Sequence, residues 1–222
     1  MYIPKSFEVT DLSKLHEFIE TYSFGTLVTV GGEQAIATRI PLILDRAGGR
    51  HGTLLGHVAR ANQQWRSFDG NRQCLVMFDG PHAYISPTWY ATSPAVPTWN
   101  YATVHVYGTP RPIHDAEQLS ALVDRLVGIY EAGMSQPWPG KLPAAFRTTM
   151  LKAIVGFAID IDRIEGKFKL GQNRPLEDRI GTVAHLESSS DPEARALAAF
   201  TRKHLNLDVE DGAPPTTTDT VK

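Results

Sequence analysis

The alternation of apolar and polar positions divides the first two thirds of the chain into one helix and a series of strands. From Thr10 to Tyr22, apolar residues recur at helical spacing, and Thr10 is placed to cap the helix. Strand patterns follow, separated by turn signals such as Gly31-Gly32, Gly48-Gly49 and Asp79-Gly80-Pro81. The expected strand segments are residues 24–30, 34–45, 53–59, 72–78, 82–90, 98–113 and 154–170.

The helical patterns of the remaining chain are fewer and lie mostly towards the C-terminus. Asp115 precedes a helix with one apolar face, and a short helix is expected from Pro143 to Lys152. Beyond Pro175 the chain is polar and helical, with a further helix after Asp191. Many strands joined by turns, with few helices between them, favour an α+β fold built on an antiparallel barrel over βαβ units.

This pattern also predicts the domain organisation. Residues 1–170 are expected to form the barrel with its interleaved helices, and residues 171–207 a C-terminal helical extension. The Pro/Thr-rich residues 208–222 are expected to be disordered because they offer no apolar residues spaced to pack.

Composition narrows the class of protein. The 222 residues carry a formal net charge of -2 with a pI of about 6.4, so no overall basic field draws the chain to nucleic acid. The start of the chain lacks the apolar segment of a signal peptide, and no apolar run approaches the roughly 20 residues of a membrane span. Together with a single cysteine, these features favour a cytoplasmic protein.

The familiar catalytic and metal motifs are absent from the sequence. There is no G-x-G-x-x-G, P-loop, H-E-x-x-H or G-x-S-x-G, and Cys74 has no cysteine partner, so no metal site is expected and the catalytic residues are unknown. Cys74 lies in an apolar strand, which predicts a buried, unreactive thiol. His82 and His105 are interpreted as ordinary polar residues.

One stretch, GHVARANQQW, has the composition of an anion site. A strand ends with Gly56 and His57, and Arg60 and Asn62 enter the start of a helix. Free backbone N–H groups and a nearby cation bind anions at such a point. A solvated turn explains the same residues.

Two other stretches also gather polar groups at strand ends. In TRIPL, Thr38 and Arg39 precede a proline that marks an edge or irregular place in the strand. In KLGQNR, donors surround a glycine where the last strand ends, namely Lys169, Gln172 and Asn173. A surface arginine and a polar loop are the plainer interpretations.

The tripeptide Pro-Thr-Trp occurs twice, ending at Trp89 and at Trp99. Each proline restricts the backbone and so holds its tryptophan on a stiffened segment. The two indoles close a core or stack on a flat ligand. We expect packing for Trp89, and contact with a flat ring for Trp99 and the adjacent Asn100.

These motifs, in this order along the chain, closely resemble the PaiB family of FMN-binding negative transcriptional regulators. The resemblance extends from MYIPKSF at the start, through TLLGHVARANQQW, GPHAYISPTWY and VPTWNYATVHVYG, to KLGQNRPLEDRIG. It implies an antiparallel FMN-binding split barrel and a homodimer with FMN at the subunit interface. The group of FMN-binding split barrels also includes the pyridoxamine phosphate oxidases, which carry more basic residues than this sequence does. This difference counts against vitamin B6 oxidation.

The resemblance also implies roles for residues. Thr38 and Arg39 would lie under the isoalloxazine ring, and Trp99 and Asn100 would come from the partner subunit. The phosphate would be held by Gly56, His57, Arg60 and Asn62, and the site would be closed by Lys169, Gln172 and Asn173.

Three functions are compatible with the sequence. The first is a regulator of gene expression, although no DNA-binding motif is evident and direct DNA binding is not shown by the sequence. The second is an FMN-dependent oxidoreductase of the flavin reductase kind, because the flavin itself carries redox chemistry. The third is a heme-handling protein, with His82 or His105 as axial ligand.

Overall fold

The computed structural model describes residues 1–31 and 34–207. Gly32 of the expected Gly31-Gly32 turn and the expected disordered tail, 208–222, lie outside these residues. The helices of the described chain are α1 (Leu12–Thr21), α2 (Ala116–Glu131), α3 (Ala144–Lys152), α4 (Leu176–Glu187) and α5 (Pro192–Leu205). The strands are β1 (Glu8–Val9), β2 (Phe24–Gly31), β3 (Gln34–Pro41), β4 (Ile43–Asp45), β5 (Thr53–Ala59), β6 (Cys74–Ile85), β7 (Thr98–Ile113) and β8 (Ile154–Lys169).

All these strands join one antiparallel sheet. The order is β3-β2-β6-β7-β8-β5-β4, and β1 pairs with β8. The β2–β3 hairpin sets Leu27 opposite Thr38, and the β5–β8 pair sets Gly56 opposite Phe157. The α+β class and the antiparallel arrangement predicted from the sequence are confirmed.

The largest error in the predicted strands concerns β6. The expected turn at Asp79-Gly80-Pro81 is wrong, because one strand continues from Cys74 to Ile85. Gly80 is needed there for space, since a Cβ atom at this position would lie 2.8 Å from the ring of Phe18 on α1. The glycine therefore admits a helix against the strand rather than turning the chain.

Smaller differences concern the element ends. The expected strand 34–45 is interrupted at Leu42, the residue after Pro41, and the two-residue β1 was not expected. Helix α1 is capped by Asp11 and not by Thr10: the Asp11 carboxylate accepts from the backbone N–H groups of Ser13 and Lys14 at 3.0 and 3.3 Å. Threonine and aspartate are both common N-cap residues, so the sequence pattern could not show which of Thr10 and Asp11 caps the helix.

The chain forms two compact units, each discontinuous in sequence. The first consists of residues 1–3, 8–80 and 103–167, and the second of residues 4–7 and 81–102 with the described residues from 168 onwards. Each has its own buried apolar side chains, such as Leu27, Phe78 and Phe157 in the first and Ile85, Leu186 and Leu197 in the second. The predicted boundary between residues 170 and 171 stays a prediction.

Candidate functional site

In the first unit, the exit of β5 is tied to the β2–β3 hairpin by a polar network. A 3₁₀ turn, Gln63–Ser67, follows β5, and the Asn62 side chain caps it by accepting from the backbone N–H of Gln64 at 3.0 Å. The Asn62 amide donates to the Thr38 hydroxyl at 3.0 Å, and that hydroxyl donates to the Gln64 side-chain oxygen at 2.5 Å. The structure therefore brings together Thr38 and Asn62, two candidates that the sequence placed in separate motifs.

Gln64 is the centre of this network, and the sequence did not single it out. Its side chain is 1% exposed. Its amide nitrogen lies 3.1, 3.2 and 3.0 Å from the Leu27 carbonyl, the Thr29 hydroxyl and the Ile36 carbonyl, so two N–H groups serve three acceptors. The adjacent Gln63 is exposed. No local pattern separates the two glutamines, because only the fold decides which one points inward.

The Arg60 guanidinium is held by backbone at the start of β8. Its Nε donates to the Lys152 carbonyl at 2.7 Å and its Nη2 to the Ile154 carbonyl at 2.9 Å. The second terminal nitrogen, Nη1, makes no hydrogen bond within the part of the chain that the structure describes. A guanidinium has five N–H donors, so Arg60 is oriented by the protein while retaining donors for an anion.

The last two candidates at this strand end are Gly56 and His57. Gly56 leaves room for neighbouring side chains, and His57 has a ring nitrogen without a hydrogen-bond partner in the described chain. A Cβ atom at Gly56 would lie 2.7 Å from the Leu42 side chain and 3.0 Å from the Phe157 ring, so this glycine is required by packing. His57 is half-buried, and burial lowers its pKa. Its Nδ1 atom is buried without a hydrogen-bond partner among the described residues. Such an orphaned polar atom is costly unless a ligand or water satisfies it.

Arg39 lies apart from this network. It is exposed, its Nη2 atom lies 3.4 Å from the Phe24 carbonyl, and its guanidinium lies 5.0 Å from the Phe24 ring centroid. Successive strand residues face opposite sides of a sheet, so Thr38 and Arg39 serve different faces of β3. The structure therefore does not join Arg39 to Asn62.

In the second unit, three candidate residues lie at or just after the end of β8, and two of them hydrogen-bond within the chain. Lys169 donates to the Thr98 hydroxyl and, at 2.8 Å, to the Trp99 carbonyl, which fixes the start of β7. Gln172 accepts from the backbone N–H of Leu170 at 2.7 Å and donates to the Phe168 carbonyl, closing the chain around Gly171. Asn173 is exposed.

The neighbouring residues Trp99 and Asn100 differ sharply in exposure. Trp99 is 54% exposed, whereas Asn100 is 3% exposed. The rings of His82 and Tyr84 on β6 each lie 6.1 Å from the Trp99 ring, centroid to centroid. Trp99 is therefore the accessible member of the pair.

Trp89, the other repeated tryptophan, lies against α4. Its ring stacks on His185 with centroids 5.3 Å apart and planes 8° from parallel. A Cβ atom at Gly181 of the same helix would lie 2.7 Å from the Trp89 carbonyl oxygen. The structure thus places Trp89 in a packed position at one wall of a groove to which Trp99 also contributes.

Three residues were considered for thiol or heme chemistry, namely Cys74, His82 and His105. Cys74 is buried as expected, and burial raises the pKa of its thiol to about 12. His105, in the first unit, has a pKa lowered by burial, and its Nδ1 atom has no hydrogen-bond partner in the described chain. His82 belongs to the second unit and is exposed.

Across the described residues, the structure contains no helix with the length and apolar character needed to span a membrane.

Comparison with known proteins supports one family. The family described as "Putative FMN-binding domain" matches residues 1–163. The protein called Protease synthase and sporulation protein PAI 2, from Bacillus subtilis, is 37% identical over 214 residues, which cover 94% of this chain and 100% of that protein. A relative of this identity and coverage confirms the PaiB resemblance predicted from the motifs.

Solved structures confirm the fold class. The flavocytochrome Anf3 from Azotobacter vinelandii superposes with a TM-score of 0.60 at 12% identity, covering 75% of this chain and 72% of that one. The FAD and heme binding protein from Mycobacterium smegmatis gives 0.58 at 16% identity, with 78% of each chain covered. At these identities the likeness concerns the fold, an antiparallel split barrel. By its sequence and its architecture, the chain belongs to the family described as "Putative FMN-binding domain".

Proposed function

We propose that this protein is an FMN-binding negative transcriptional regulator of the PaiB type. The observation that carries the proposal is the end-to-end similarity to the Bacillus subtilis protein, whose name associates it with protease synthesis and sporulation. The family description supplies FMN as the cofactor.

The residues at the exit of β5 fit the phosphate of such a cofactor. Arg60 is oriented by two backbone carbonyls and keeps Nη1 for the ligand, and His57 has a buried ring nitrogen that needs a partner. Asn62 uses one amide hydrogen for Thr38 and retains the other. Donors that the protein already holds in place lower the ordering cost of binding a phosphate, and a charged donor such as Arg60 makes the stronger hydrogen bond to it.

Thr38 is the remaining candidate of the first unit that we propose to lie near the flavin ring. Arg39 serves the opposite face of β3, and the roles predicted for Arg39, Lys169, Gln172 and Asn173 stay predictions. A bound flavin supplies electron transfer, while the protein supplies binding and orientation.

The proposed assembly is a homodimer in which Trp99 of one subunit approaches the FMN of the other. Asn100, which was predicted to share this role, is buried within its own chain at 3% exposure and is not part of the proposal. The first unit exposes several large apolar side chains, which a subunit interface would bury. They include Phe24, Ile129, Met134, Trp138, Phe146 and Met150.

The experiment combines a flavin assay with a DNA assay. The purified protein is saturated with FMN, and its visible spectrum is followed on addition of NADPH. In parallel, its affinity for the duplex upstream of its own coding sequence is compared with that for a shuffled duplex over a range of salt concentrations, because non-specific binding is mainly electrostatic.

The regulator proposal requires bound FMN and a clear preference for the natural duplex. Equal affinity for both duplexes, together with repeated NADPH-driven turnover of the flavin, would replace it with the oxidoreductase alternative. Failure to bind FMN would overturn the cofactor assignment itself.

A further inference from the structure

The second unit contains an open groove of about 500 Å³ that the FMN assignment leaves largely unexplained. Its walls come from β6, β7, the 3₁₀ turn Pro87–Trp89, α4 and the first turn of α5. The volume lies in the range of small-molecule sites. The groove therefore has the size to hold an organic ligand.

The aromatic side chains of this groove are accessible and held in place. Trp99 is 54% exposed and Tyr84 47% exposed, although both are large and apolar. His185 stacks on Trp89 and fixes the orientation of its ring, and Tyr84 meets Trp99 edge-on with an interplanar angle of 75°. Oriented indole and phenol faces attract cations because of their ring quadrupole.

The formally charged side chains that line the groove are all negative. Asp191 and Glu193 line it, and the described lining includes neither lysine nor arginine. Oδ1 of Asp191 caps α5 by accepting from the backbone N–H of Glu193 at 3.0 Å, and Oε1 of Glu193 lies 3.3 Å from the backbone nitrogen of His82 and 3.4 Å from its Nδ1. The second oxygen of each carboxylate has no partner within the described chain.

The start of α5 does not cancel this charge. The partial positive charge at a helix N-terminus is only about half an elementary charge, which is less than the formal charge of the two carboxylates. The groove is therefore negative at one end and aromatic along its walls. That combination disfavours anions and gives a cation both a counter-charge and π faces.

We propose that this groove binds an organic ammonium cation, with its carbon substituents against Trp89 and Tyr84 and its charge near Asp191 and Glu193. The groove shares no residue with the phosphate donors proposed at the exit of β5, and the proposal holds whether or not the protein regulates transcription. The protein would then bind a second small molecule in addition to the flavin.

The test uses two probes of the same shape. Choline and its neutral analogue 3,3-dimethylbutan-1-ol differ in one atom, a charged nitrogen in place of a carbon, and each has nine equivalent methyl protons. Saturation-transfer NMR with the full-length, FMN-saturated protein gives the dissociation constant of each probe. From the strength of a cation–π contact, choline is expected to bind about tenfold more tightly than the alcohol.

Variants identify the groups responsible. Glu193→Gln and Asp191→Asn preserve shape and the helix cap, and together they should weaken choline binding about tenfold while leaving the alcohol unchanged. Glu177→Gln is the matched control for each substitution made singly, since it removes one negative charge from an exposed position of the same unit outside the groove. Trp89→Phe should weaken both probes.

Three results would overturn the proposal. Equal affinity for choline and the alcohol would indicate a merely apolar groove. An equal loss in Glu177→Gln would indicate general electrostatic attraction. Absence of binding by either probe at millimolar concentration would mean that the groove is covered or serves another purpose.

Discussion

The buried carboxylate of Asp178 on α4 accepts two hydrogen bonds from Thr92, one from its backbone N–H at 3.0 Å and one from its hydroxyl at 2.6 Å. Thr92 lies in the segment between the two Pro-Thr-Trp copies, so this contact anchors that segment to the helix. Arg174 supports the same connection, with its guanidinium 4.4 Å from the ring centroid of Tyr90. The groove wall that carries Trp89 therefore depends on a carboxylate remaining ionised.

The pKa of Asp178 predicts how this anchor responds to pH. Burial alone would raise the pKa, but hydrogen bonds from Thr92 and Ala91 and the charge of Arg174 lower it below the usual aspartate value. A lowered folded-state pKa contributes stability that is present above the unfolded pKa, about 4, and lost as the pH falls through the folded value. Asp178→Asn should lower the midpoint of thermal unfolding by several degrees at pH 7, with the difference from wild type narrowing towards pH 3. Glu177→Gln serves as control, and a difference that is constant with pH would contradict the assignment.

Arg60→Ala should weaken FMN binding through the phosphate. Losing a charge-assisted hydrogen bond costs about 1.5–3 kcal/mol, or roughly one to two decades in affinity. Riboflavin, which lacks the phosphate, should bind wild type and variant almost equally in a fluorescence titration. Arg66→Ala, an exposed arginine of the same segment, is the matched control. If riboflavin affinity falls as far as FMN affinity, Arg60 acts through folding, by way of the carbonyls of Lys152 and Ile154.

The proposed sharing of the site between subunits can be tested by mixing variants. A Trp99→Ala chain and an Arg60→Ala chain should each bind FMN poorly as homodimers. A heterodimer places both lesions in one site and leaves the other intact, so about half of its sites should recover. Equilibrium dialysis of purified heterodimers measures this recovery. No recovery would mean that each flavin is held within a single chain.

Gln64→Leu should destabilise the first unit. The substitution leaves the Leu27 and Ile36 carbonyls without the Gln64 amide, and an unsatisfied buried group costs about 1–3 kcal/mol. Gln63→Leu, at the exposed neighbouring position, should change the free energy of unfolding little. Urea denaturation compares the two variants. Equal losses would show that the Gln64 amide has no special role.

Cys74 should be unreactive in the folded protein. Raising its thiol pKa from 9.0 to about 12 lowers the thiolate fraction near pH 8 about a thousandfold. A disulfide-exchange reagent should therefore modify it only after denaturant is added. Cys74→Ala should retain FMN binding with a modest loss of stability. Rapid modification of the native protein would show that the strand opens.

Part of this fold follows from local physics and could be predicted from the sequence. The Asp115 side chain caps α2 as expected, and α5 begins after Asp191 as expected, because a cap needs only an acceptor at the residue that precedes the helix. The long strands β7 and β8 and the burial of Cys74 also follow from alternating or continuous apolar runs. The motifs by themselves were specific enough to indicate the family.

Tertiary structure decided the features that depend on residues far apart in the chain. Asp79-Gly80-Pro81 has the composition of a turn, yet the strand continues because Phe18 packs over Gly80. Which of Gln63 and Gln64 is buried depends on where the β2–β3 hairpin offers acceptors. The same holds for the two tryptophans: both follow Pro-Thr, but Trp89 stacks on a histidine of α4 while Trp99 stays exposed on β7. Identical local sequences acquire different environments because burial and partners are set by the folded neighbours, and no local propensity encodes them.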